Sequence, residues 1–236
     1  MKKCQFGSHR VLEPKGVLPQ TAWKLDNSPE IYDNEILINV EALNIDSASF
    51  IQLKKEYKNS EERIASAILD IVKKRGKMHN PVTNSGGILI GKVEKIGSDL
   101  IGKIDINVGD KIATLVSLTL TPLSIRKIKK VKLDVEQVEI EGKAILFESG
   151  IYAKLPTDLP EFLSLAVLDV CGAPAQVARL AKKGDIVFVL GGGGKSGMLC
   201  LAQAKKIVGN EGLLISLSRS KESCDNVKKL NLADII

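Results

Sequence analysis

The sequence predicts an α/β protein in two parts, a β-rich domain over residues 1–170 and a domain of alternating strands and helices over residues 171–236. Short apolar runs separated by turn residues fill the first part, which is typical of strands. From about residue 159, helical patterns lead into a strand, a glycine-rich turn, a helix and a second strand. The chain has 236 residues, 44% of them hydrophobic, which is enough for a core in each domain.

The N-terminal part combines several short strands with one helical segment. At residues 59–77, Ile64, Ile68 and Ile71 recur at helical spacing, and Ser60 can cap the start. We therefore expect a barrel-like β domain with a helical insertion. The predicted strands are EILINVEALNI (35–45), GGILIGKVEKIG (86–97), GDKIATLVSL (109–118) and AILFESGIYAKLP (144–156).

The stretch IVFVLGGGGKSG (186–197) suggests a phosphate-binding turn of one of two kinds. A Walker loop needs a glycine where Val189 stands, so the triphosphate interpretation fails. The pattern G-x-G-x-x-G is met by Gly192, Gly194 and Gly197, directly after an apolar strand and before a helix. This context predicts a Rossmann dinucleotide-binding domain.

Each glycine has an expected task in that domain. Gly192 allows the tight turn, Gly194 lets the backbone approach a pyrophosphate, and Gly197 permits close packing of helix and strand. Lys195 and Ser196 begin the helix, whose N-terminus offers free N–H groups and partial positive charge to phosphates. We expect NAD or NADP to bind here; a merely flexible glycine-rich loop is the alternative.

The end of the second strand bears on the choice of cofactor. NAD-binding domains place a carboxylate about 20 residues beyond the glycines, whereas an Arg there accommodates the 2′-phosphate of NADP. Here Arg219 stands among Ser216, Ser218 and Ser220, with no carboxylate until Glu222. The sequence therefore predicts that NADP is accepted; in the alternative, Arg219 points to solvent or stacks on adenine.

The predicted dinucleotide-binding domain has fewer strands than a complete domain of this type. Such a fold has two halves of about three strands each, and the sequence supplies two strands and the first residues of a third. We expect a truncated Rossmann domain, lacking roughly 100 residues by that estimate.

Composition excludes several classes of protein. The net charge of +6 could suggest nucleic-acid binding, but only 4% of residues are aromatic, and the basic run 126–132 alternates with Ile and Val like a solvated strand face. No apolar stretch is long enough for a signal peptide or a membrane span, so we expect a cytoplasmic protein. No C-x-x-C pair is present, which argues against structural zinc, and Cys200 is expected in the core.

The segment GKVEKIGSDLIGKIDINVGDKIA (91–113) resembles the barrel signature of the medium-chain dehydrogenase/reductase superfamily. More narrowly, blocks across nearly the whole chain resemble the L-erythro-3,5-diaminohexanoate dehydrogenases of lysine fermentation. These blocks are FGSHRVLEPKGVLPQ (6–20), IYDNEILINVEALNIDSASF (31–50), GKMHNPVTNSGGILIG (76–91), KIATLVSLTLTPL (111–123), KAILFESGIYAKLPTDLPE (143–161) and LDVCGAPAQVARL (168–180).

The resemblance implies a GroES-like catalytic domain followed by the Rossmann domain. It also implies NAD(P)-dependent oxidative deamination of a diamino acid, 3,5-diaminohexanoate, to 5-amino-3-oxohexanoate and ammonia. A homodimer or another homo-oligomer is expected. Two alternatives stay open: a zinc-independent quinone or enoyl reductase of the same superfamily, and a cofactor-binding fragment without catalysis.

Zinc-dependent members of the superfamily use a Cys in the segment resembling 44–50, a His in the segment resembling 86–88, and a Cys where Cys171 stands. The first two ligands are missing here, since these segments read NIDSASF and Gly-Gly-Ile. We therefore expect no catalytic zinc.

Without a metal, the chemistry requires a base, because an ammonium cannot release hydride. Asp46 is the first candidate for ammonium contact or base, with a turn-capping Asp as the alternative. Asn44 and Ser47 are candidate polar neighbours, and Glu148 is a second acidic candidate. Arg10 could bind the substrate carboxylate, although an exposed polar position on a surface strand is favoured.

Overall fold

A computed structural model describes residues 2–236, which form two compact units, the first ending at Ala166 and the second running Val167–Ile236. The described strands of the first unit are β1 (Val11–Glu13), β2 (Lys24–Leu25), β3 (Glu35–Ile45), β4 (Gly87–Ile96), β5 (Lys111–Thr114), β6 (Leu123–Lys132), β7 (Gln137–Phe147) and β8 (Tyr152–Lys154). Its helices are α1 (Ser47–Glu56) and α2 (Glu61–Arg75), and α3 (Glu161–Leu168) crosses the boundary.

Six strands of the first unit form one antiparallel sheet in the order β6-β7-β3-β4-β5-β8. The long strand β3 lies near the middle, with β4 on one side and β7 on the other. Its apolar residues, such as Ile38 and Leu43, are fully buried in a core to which both α1 and α2 contribute. Because β3 is buried along most of its length and is paired on both sides, the position of the segment that follows it is well defined.

The helical insertion predicted at 59–77 is confirmed as α2. The Ser60 hydroxyl accepts a hydrogen bond from the Arg63 amide, and the helix ends at Gly76, whose φ of 67° is left-handed. Arg75, at the C-terminal end of α2, lies over the ring of Trp23 at 4.4 Å and donates to the Trp23 carbonyl. These contacts attach the end of the insertion to the N-terminal part of the chain.

Two features of the first unit differ from the prediction. The helix α1 was not predicted, because its ten residues include only three that are buried, Ser49, Phe50 and Leu53, so its apolar periodicity is weak. The predicted single strand at 144–156 is wrong, since a turn closed by the Gly150 amide and the Phe147 carbonyl separates β7 from β8.

Both interpretations of Arg10 are wrong as well. Arg10 lies in a short 3₁₀ turn, and its side chain is 1% exposed. Its Nη2 is 2.6 Å from Oε2 of Glu35, and its Nε donates to Oε1 of the same carboxylate at 3.0 Å. The guanidinium also donates to the carbonyls of Ser28 and Glu30. It is therefore a buried structural cation rather than a substrate ligand or a surface residue.

The second unit has the strand and helix order that the glycine turn predicts. Its described elements are α4 (Gly172–Leu180), β9 (Ile186–Leu190), α5 (Lys195–Val208), β10 (Leu213–Leu217) and α6 (Lys221–Lys229). The strands β9 and β10 pair in parallel around α5, as in a βαβ unit. Cys200 on α5 is 8% exposed, which confirms its core position.

Among the described residues, no single helix is long and apolar enough to cross a membrane, and one bent pair, α3 with α4, passes that test only when the two are taken together.

Candidate active site and cofactor turn

The carboxylate of Asp46 lies at the C-terminal end of β3, at the point where the chain turns into α1. Oδ2 accepts a hydrogen bond from the Gly86 amide at 2.9 Å, and the Asp46 amide donates back to the Gly86 carbonyl at 3.2 Å. Asp46 is the N-cap residue of α1, yet its side chain makes no capping hydrogen bond. The carboxylate is therefore half-buried and held across the sheet, which does not agree with the turn-capping alternative.

A second carboxylate lies at the same end of the sheet. Oγ of Ser47 donates to Oε2 of Glu136 at 2.6 Å, and the Glu136 carbonyl accepts from the Ile45 amide. Glu136 is in the turn before β7 and has a φ of 60°, which a residue other than glycine seldom adopts. The structure thus brings Asp46, Ser47 and Glu136 together, and the sequence did not point to Glu136.

Asn44 lies just inside this end of β3 and is fully buried. Its side-chain oxygen accepts from Nε2 of Gln137 at 3.3 Å, and the same nitrogen donates to the Phe162 carbonyl at 2.8 Å. Asn44, predicted as a polar neighbour of Asp46, is therefore buried just inside this end of β3.

Glu148 is not near Asp46. It follows β7, whose last residue Phe147 pairs with Glu35 at the start of β3. The eleven residues of β3 therefore separate the two carboxylates by roughly 30 Å. Glu148 instead contacts Nζ of Lys2 at 3.1 Å and Nδ2 of Asn34 at 2.9 Å, and these hydrogen bonds lower the pKa of its carboxyl. The prediction that Glu148 belongs to the site is not supported by its location.

The backbone at Gly87 leaves no room for a side chain. Its φ is 117°, and a Cβ there would be 1.9 Å from the Asn44 carbonyl oxygen. The histidine that zinc-dependent relatives carry at this position could not adopt this backbone. Cys171, at the third ligand position, points Sγ at the Leu168 carbonyl at 3.1 Å. In residues 2–236, no group of three His, Cys, Asp or Glu side chains could hold a metal ion.

Three buried basic residues support the loop that carries Gly86. Nζ of Lys77 donates to the Pro19 carbonyl at 2.7 Å, and burial together with the charge of Arg75 lowers the Lys77 pKa to about 7. Burial, Arg75 and Lys77 likewise lower the pKa of His79 to about 4. The Arg75 guanidinium contacts Nδ1 of His79 at 3.1 Å and the His79 carbonyl at 2.6 Å. The sequence analysis did not single out these residues.

The glycine turn in the second unit is shaped for a bound phosphate. Gly194 is the N-cap of α5, has no side-chain cap, and a Cβ there would meet only the Gly191 carbonyl oxygen, at 3.5 Å. The first N–H groups of α5, at Lys195, Ser196 and Gly197, begin a helix that is 14 residues long. Open space before uncapped amides fits the pyrophosphate of a dinucleotide.

The other glycines have slightly different tasks from those expected. The left-handed φ of 80° belongs to Gly191, so Gly191 rather than Gly192 makes the sharp turn. At Gly192 a Cβ would be 2.1 Å from Oγ of Ser216, and at Gly197 a Cβ would be 2.2 Å from the Gly191 carbonyl oxygen. Gly192 and Gly197 therefore permit close packing of the turn against β10 and against α5.

Of the three serines around Arg219, only one can face a ribose. Ser216 is buried beneath Gly192, and Ser220 accepts from the Ser223 amide as the cap of α6. Oγ of Ser218 accepts from the Gly193 amide at 2.9 Å, which ties the end of β10 to the glycine turn. Arg219 is exposed. The predicted phosphate-binding set thus reduces to Arg219 and Ser218.

Comparison with known proteins identifies the family. Residues 9–156 match the family described as the L-erythro-3,5-diaminohexanoate dehydrogenase N-terminal domain. The chain belongs to the L-erythro-3,5-diaminohexanoate dehydrogenase family. Two curated members of the family are similar to almost all of it. The dehydrogenase of Acetoanaerobium sticklandii is 59% identical over 234 residues, and that of Fusobacterium nucleatum subsp. nucleatum is 61% identical over 221 residues.

The chain is shorter than these members of the family. The match covers 99% of this chain and 68% of the Acetoanaerobium protein, and 93% of this chain and 64% of the Fusobacterium protein. It therefore spans about two thirds of their length.

The chain shares its fold with solved quinone oxidoreductases. The quinone oxidoreductase of Coxiella burnetii matches 92% of this chain with a TM-score of 0.51 and 23% identity, and the chain covers 57% of it. A mycobacterial quinone oxidoreductase matches with a TM-score of 0.54 and 20% identity, over 92% of this chain and 54% of its own. At these identities the likeness concerns the fold alone.

Proposed function

We propose that the full-length protein catalyses the NAD(P)-dependent oxidative deamination of L-erythro-3,5-diaminohexanoate to 5-amino-3-oxohexanoate and ammonia, as a step of lysine fermentation. The observation that carries this proposal is the 59% identity, over 99% of the chain, with a dehydrogenase that bears this substrate's name. The half-buried Asp46 carboxylate supplies the acid and base chemistry that such a reaction needs. The cytoplasmic location and the homo-oligomer expected from the sequence stay predictions.

Asp46 has the central role in the proposed chemistry. The 3-ammonium group of the substrate must lose a proton before its carbon can lose hydride, and a carboxylate within hydrogen-bond reach can accept that proton. The Gly86 amide occupies one lone pair of Oδ2, so the carboxylate keeps a fixed orientation while other lone pairs remain for the amine. Glu136, held through Ser47, adds negative charge that favours a cationic substrate at this end of the sheet.

When bound, a nicotinamide cofactor would supply the hydride acceptor for C3 of the substrate. In the proposal, the amides at the start of α5 and the open backbone at Gly194 hold its pyrophosphate. Ser218 and Arg219 lie at the end of β10, where the adenosine ribose is recognised in this type of fold. The resulting substrate imine is then hydrolysed, which releases ammonia.

The test is an activity assay on the full-length protein with 3,5-diaminohexanoate and, separately, NAD and NADP. Formation of reduced cofactor together with stoichiometric ammonia is expected. The same preparation is given a quinone and an enoyl thioester with NADPH, since these are the substrate classes of the reductase alternative. Reduction of a quinone without any release of ammonia from the diamine would replace the proposed function by that alternative.

A further inference from the structure

A groove in the first unit lies between α1, α2 and the loop at residues 80–82. Its volume is about 390 Å³, and sites for small molecules have volumes of roughly 300–1,000 Å³. Leu53 and Tyr57 of α1 and Ile71 of α2 contribute apolar surface, and Trp23 lines the groove as well. The groove is therefore large enough for a molecule of the size of an amino acid.

The groove is separate from the Asp46 carboxylate. Asp46 precedes α1 and does not line the groove. The first residue of α1 that does so is Gln52, six positions later, which is about 9 Å along the helix axis. A ligand in the groove would therefore occupy a second site, which the proposed role of Asp46 does not describe.

One part of the groove is acidic, with a carboxylate from each helix. Glu56 of α1 and Asp70 of α2 both line it. Partial burial, a hydrogen bond with Glu56 and the negative charges of Glu56 and Asp70 raise the pKa of the Tyr57 hydroxyl. Since the two carboxylates act on the same hydroxyl, they lie near each other across the groove. This part of the groove favours ammonium groups.

The C-terminal end of α2 makes another part of the groove basic. Lys74 lies one turn after Asp70 on the same helix face, and both are exposed. This spacing permits an ion pair, yet within residues 2–236 neither side chain has a hydrogen bond or an ion pair. The neighbouring Arg75 guanidinium is occupied by the carbonyls of Trp23 and His79. Lys74 is therefore the cation that can bind a carboxylate.

Hydrogen bonds fix the wall of the groove on the side of α1. Nδ2 of Asn80 donates to Oε1 of Gln52 at 2.8 Å, and Oδ1 of Asn80 accepts from the Val82 amide at 2.8 Å. Nε2 of Gln52 in turn donates to the Glu56 carboxylate. The loop and the Glu56 side chain are therefore positioned before a ligand binds, which lowers the entropy that binding costs.

We propose that this groove binds a free amino acid that carries two amino groups and one carboxylate. Its ammonium groups contact Glu56 and Asp70, and its carboxylate contacts Lys74, so that each charge of the ligand has a partner of opposite sign. The chemistry is binding only. The inference goes beyond the proposed function, because it concerns a second site and holds whichever reaction the protein catalyses.

The experiment titrates the full-length protein calorimetrically, in the absence of cofactor, with L-lysine and with L-norleucine, which has the same length but no second amine. Lysine should bind about tenfold more tightly than norleucine, the low end of the scale for a hydrogen bond to a charged group. Glu56→Gln should remove this advantage of lysine. Asp70→Asn and Lys74→Met should each weaken the binding of both ligands by about tenfold.

Glu62→Gln and Lys73→Met are the matched controls, because both residues are exposed on α2 and neither lines the groove. Both variants should bind lysine like the parent. The inference is overturned if the parent does not bind lysine, or if Asp70→Asn and Lys74→Met, folded by circular dichroism, bind it with the parental affinity.

Two further outcomes separate this inference from the proposed function. Lysine binding that is lost in Asp46→Asn but kept in the groove variants would place the ligand at Asp46, which overturns the inference and leaves the proposed function standing. Lysine binding that depends on Asp70 and Lys74, in a protein that does not oxidise 3,5-diaminohexanoate, would support the inference and reject the proposed function.

Discussion

Asp46 directly follows the last residue of β3, whereas Glu148 follows β7 and lies beside the first residue of β3. The Asp46 carboxylate is held by a backbone amide, and the Glu148 carboxylate forms an ion pair with Lys2. The first and the second acidic candidate of the sequence therefore have different surroundings. Their separation provides a pair of variants in which only one is expected to affect catalysis.

We expect Asp46→Asn to lower kcat/KM for the diamine by about 10²–10⁴-fold, since a general base contributes on that scale. Binding of the cofactor should change little, because the residue acts on the amine. Steady-state kinetics and cofactor titration on the full-length protein measure the two effects. Glu148→Gln is the control and should stay within a few-fold of the parent. Equal activity of the two variants would leave Asp46 with a structural role only.

For the cofactor, we expect Arg219→Ala to weaken NADP binding by roughly 1.5–3 kcal/mol, the scale of a hydrogen bond to a charged group, and to leave NAD binding nearly unchanged. The physical reason is that only NADP carries a 2′-phosphate for the guanidinium. Calorimetric titration with both cofactors tests this, with Lys229→Ala at the far end of α6 as a control. Equal losses for both cofactors would mean that Arg219 does not read the phosphate.

The Arg10 and Glu35 side chains are each 1% exposed, so removal of one charge leaves the other buried without its partner. We expect Glu35→Gln to lower the free energy of unfolding by about 3–5 kcal/mol. Glu141→Gln is the comparison; it breaks an ion pair with Arg126, which is 80% exposed, and should cost about 0–1 kcal/mol. Urea unfolding followed by circular dichroism measures both. If both variants lose a similar free energy of unfolding, burial does not make the Arg10–Glu35 pair more important for stability than an exposed pair.

The same pair has a pH dependence with a definite sign. Burial alone would raise the pKa of Glu35, but hydrogen bonds from Arg10, the Tyr32 amide and His9 outweigh it, and the pKa is lowered. A carboxyl with a lowered folded-state pKa stabilises the fold above its unfolded pKa and loses that contribution as the pH falls through the folded value. Glu35→Gln should therefore be less sensitive to acid below about pH 4. If the parent and the Glu35→Gln variant lose the same free energy of unfolding in acid, this prediction is wrong.

Lys77 should give a dependence of the same sign, but at higher pH. Its folded-state pKa of about 7 lies below the ordinary 10.5, so between these values the unfolded chain binds a proton that the folded chain does not. The free energy of unfolding should consequently rise with pH from about 7 to about 10, by up to about 1.4 kcal/mol per pH unit. Lys77→Met should lack this slope in urea unfolding at pH 7, 8 and 9. A slope that persists in the variant must come from another group.

We also expect purified full-length protein to contain no stoichiometric zinc, because the backbone at Gly87 admits no side chain and the segment 44–50 has no Cys. Elemental analysis and activity after chelation measure this. One firmly held zinc per chain, with activity lost on its removal, would reverse the prediction.

The sequence predicted the elements whose signals are local. The insertion α2 has a cap, helical spacing and a terminal glycine within its own segment, and the glycine turn likewise carries its pattern in twelve residues. Asp46 was chosen as a candidate from the family resemblance of its segment, and its role in catalysis stays a prediction.

The features that the sequence did not predict depend on contacts between distant residues. Glu136 reaches the site because β7 pairs with β3 across some ninety residues, and Glu148 leaves it for the same reason. Arg10 looks like a surface residue until Glu35, 25 positions later, is placed against it. The Ser49 hydroxyl meets those of Thr83 and Ser85 only because a loop 34 to 36 residues further along the chain packs against α1. These contacts are determined by the register of the sheet and by the packing of α1, which local sequence patterns do not specify.

The contact between Trp23 and Arg75 gives the protein an optical reporter. Trp23 is the single tryptophan of this sequence, the residue is 47% exposed, and the guanidinium at the end of α2 lies 4.4 Å from the centre of its ring. Its emission should therefore respond when the end of α2 detaches, without interference from any other indole. Because Arg75 also holds His79 at the base of the loop that carries Thr83 and Gly86, a change in that emission would report the loss of this support.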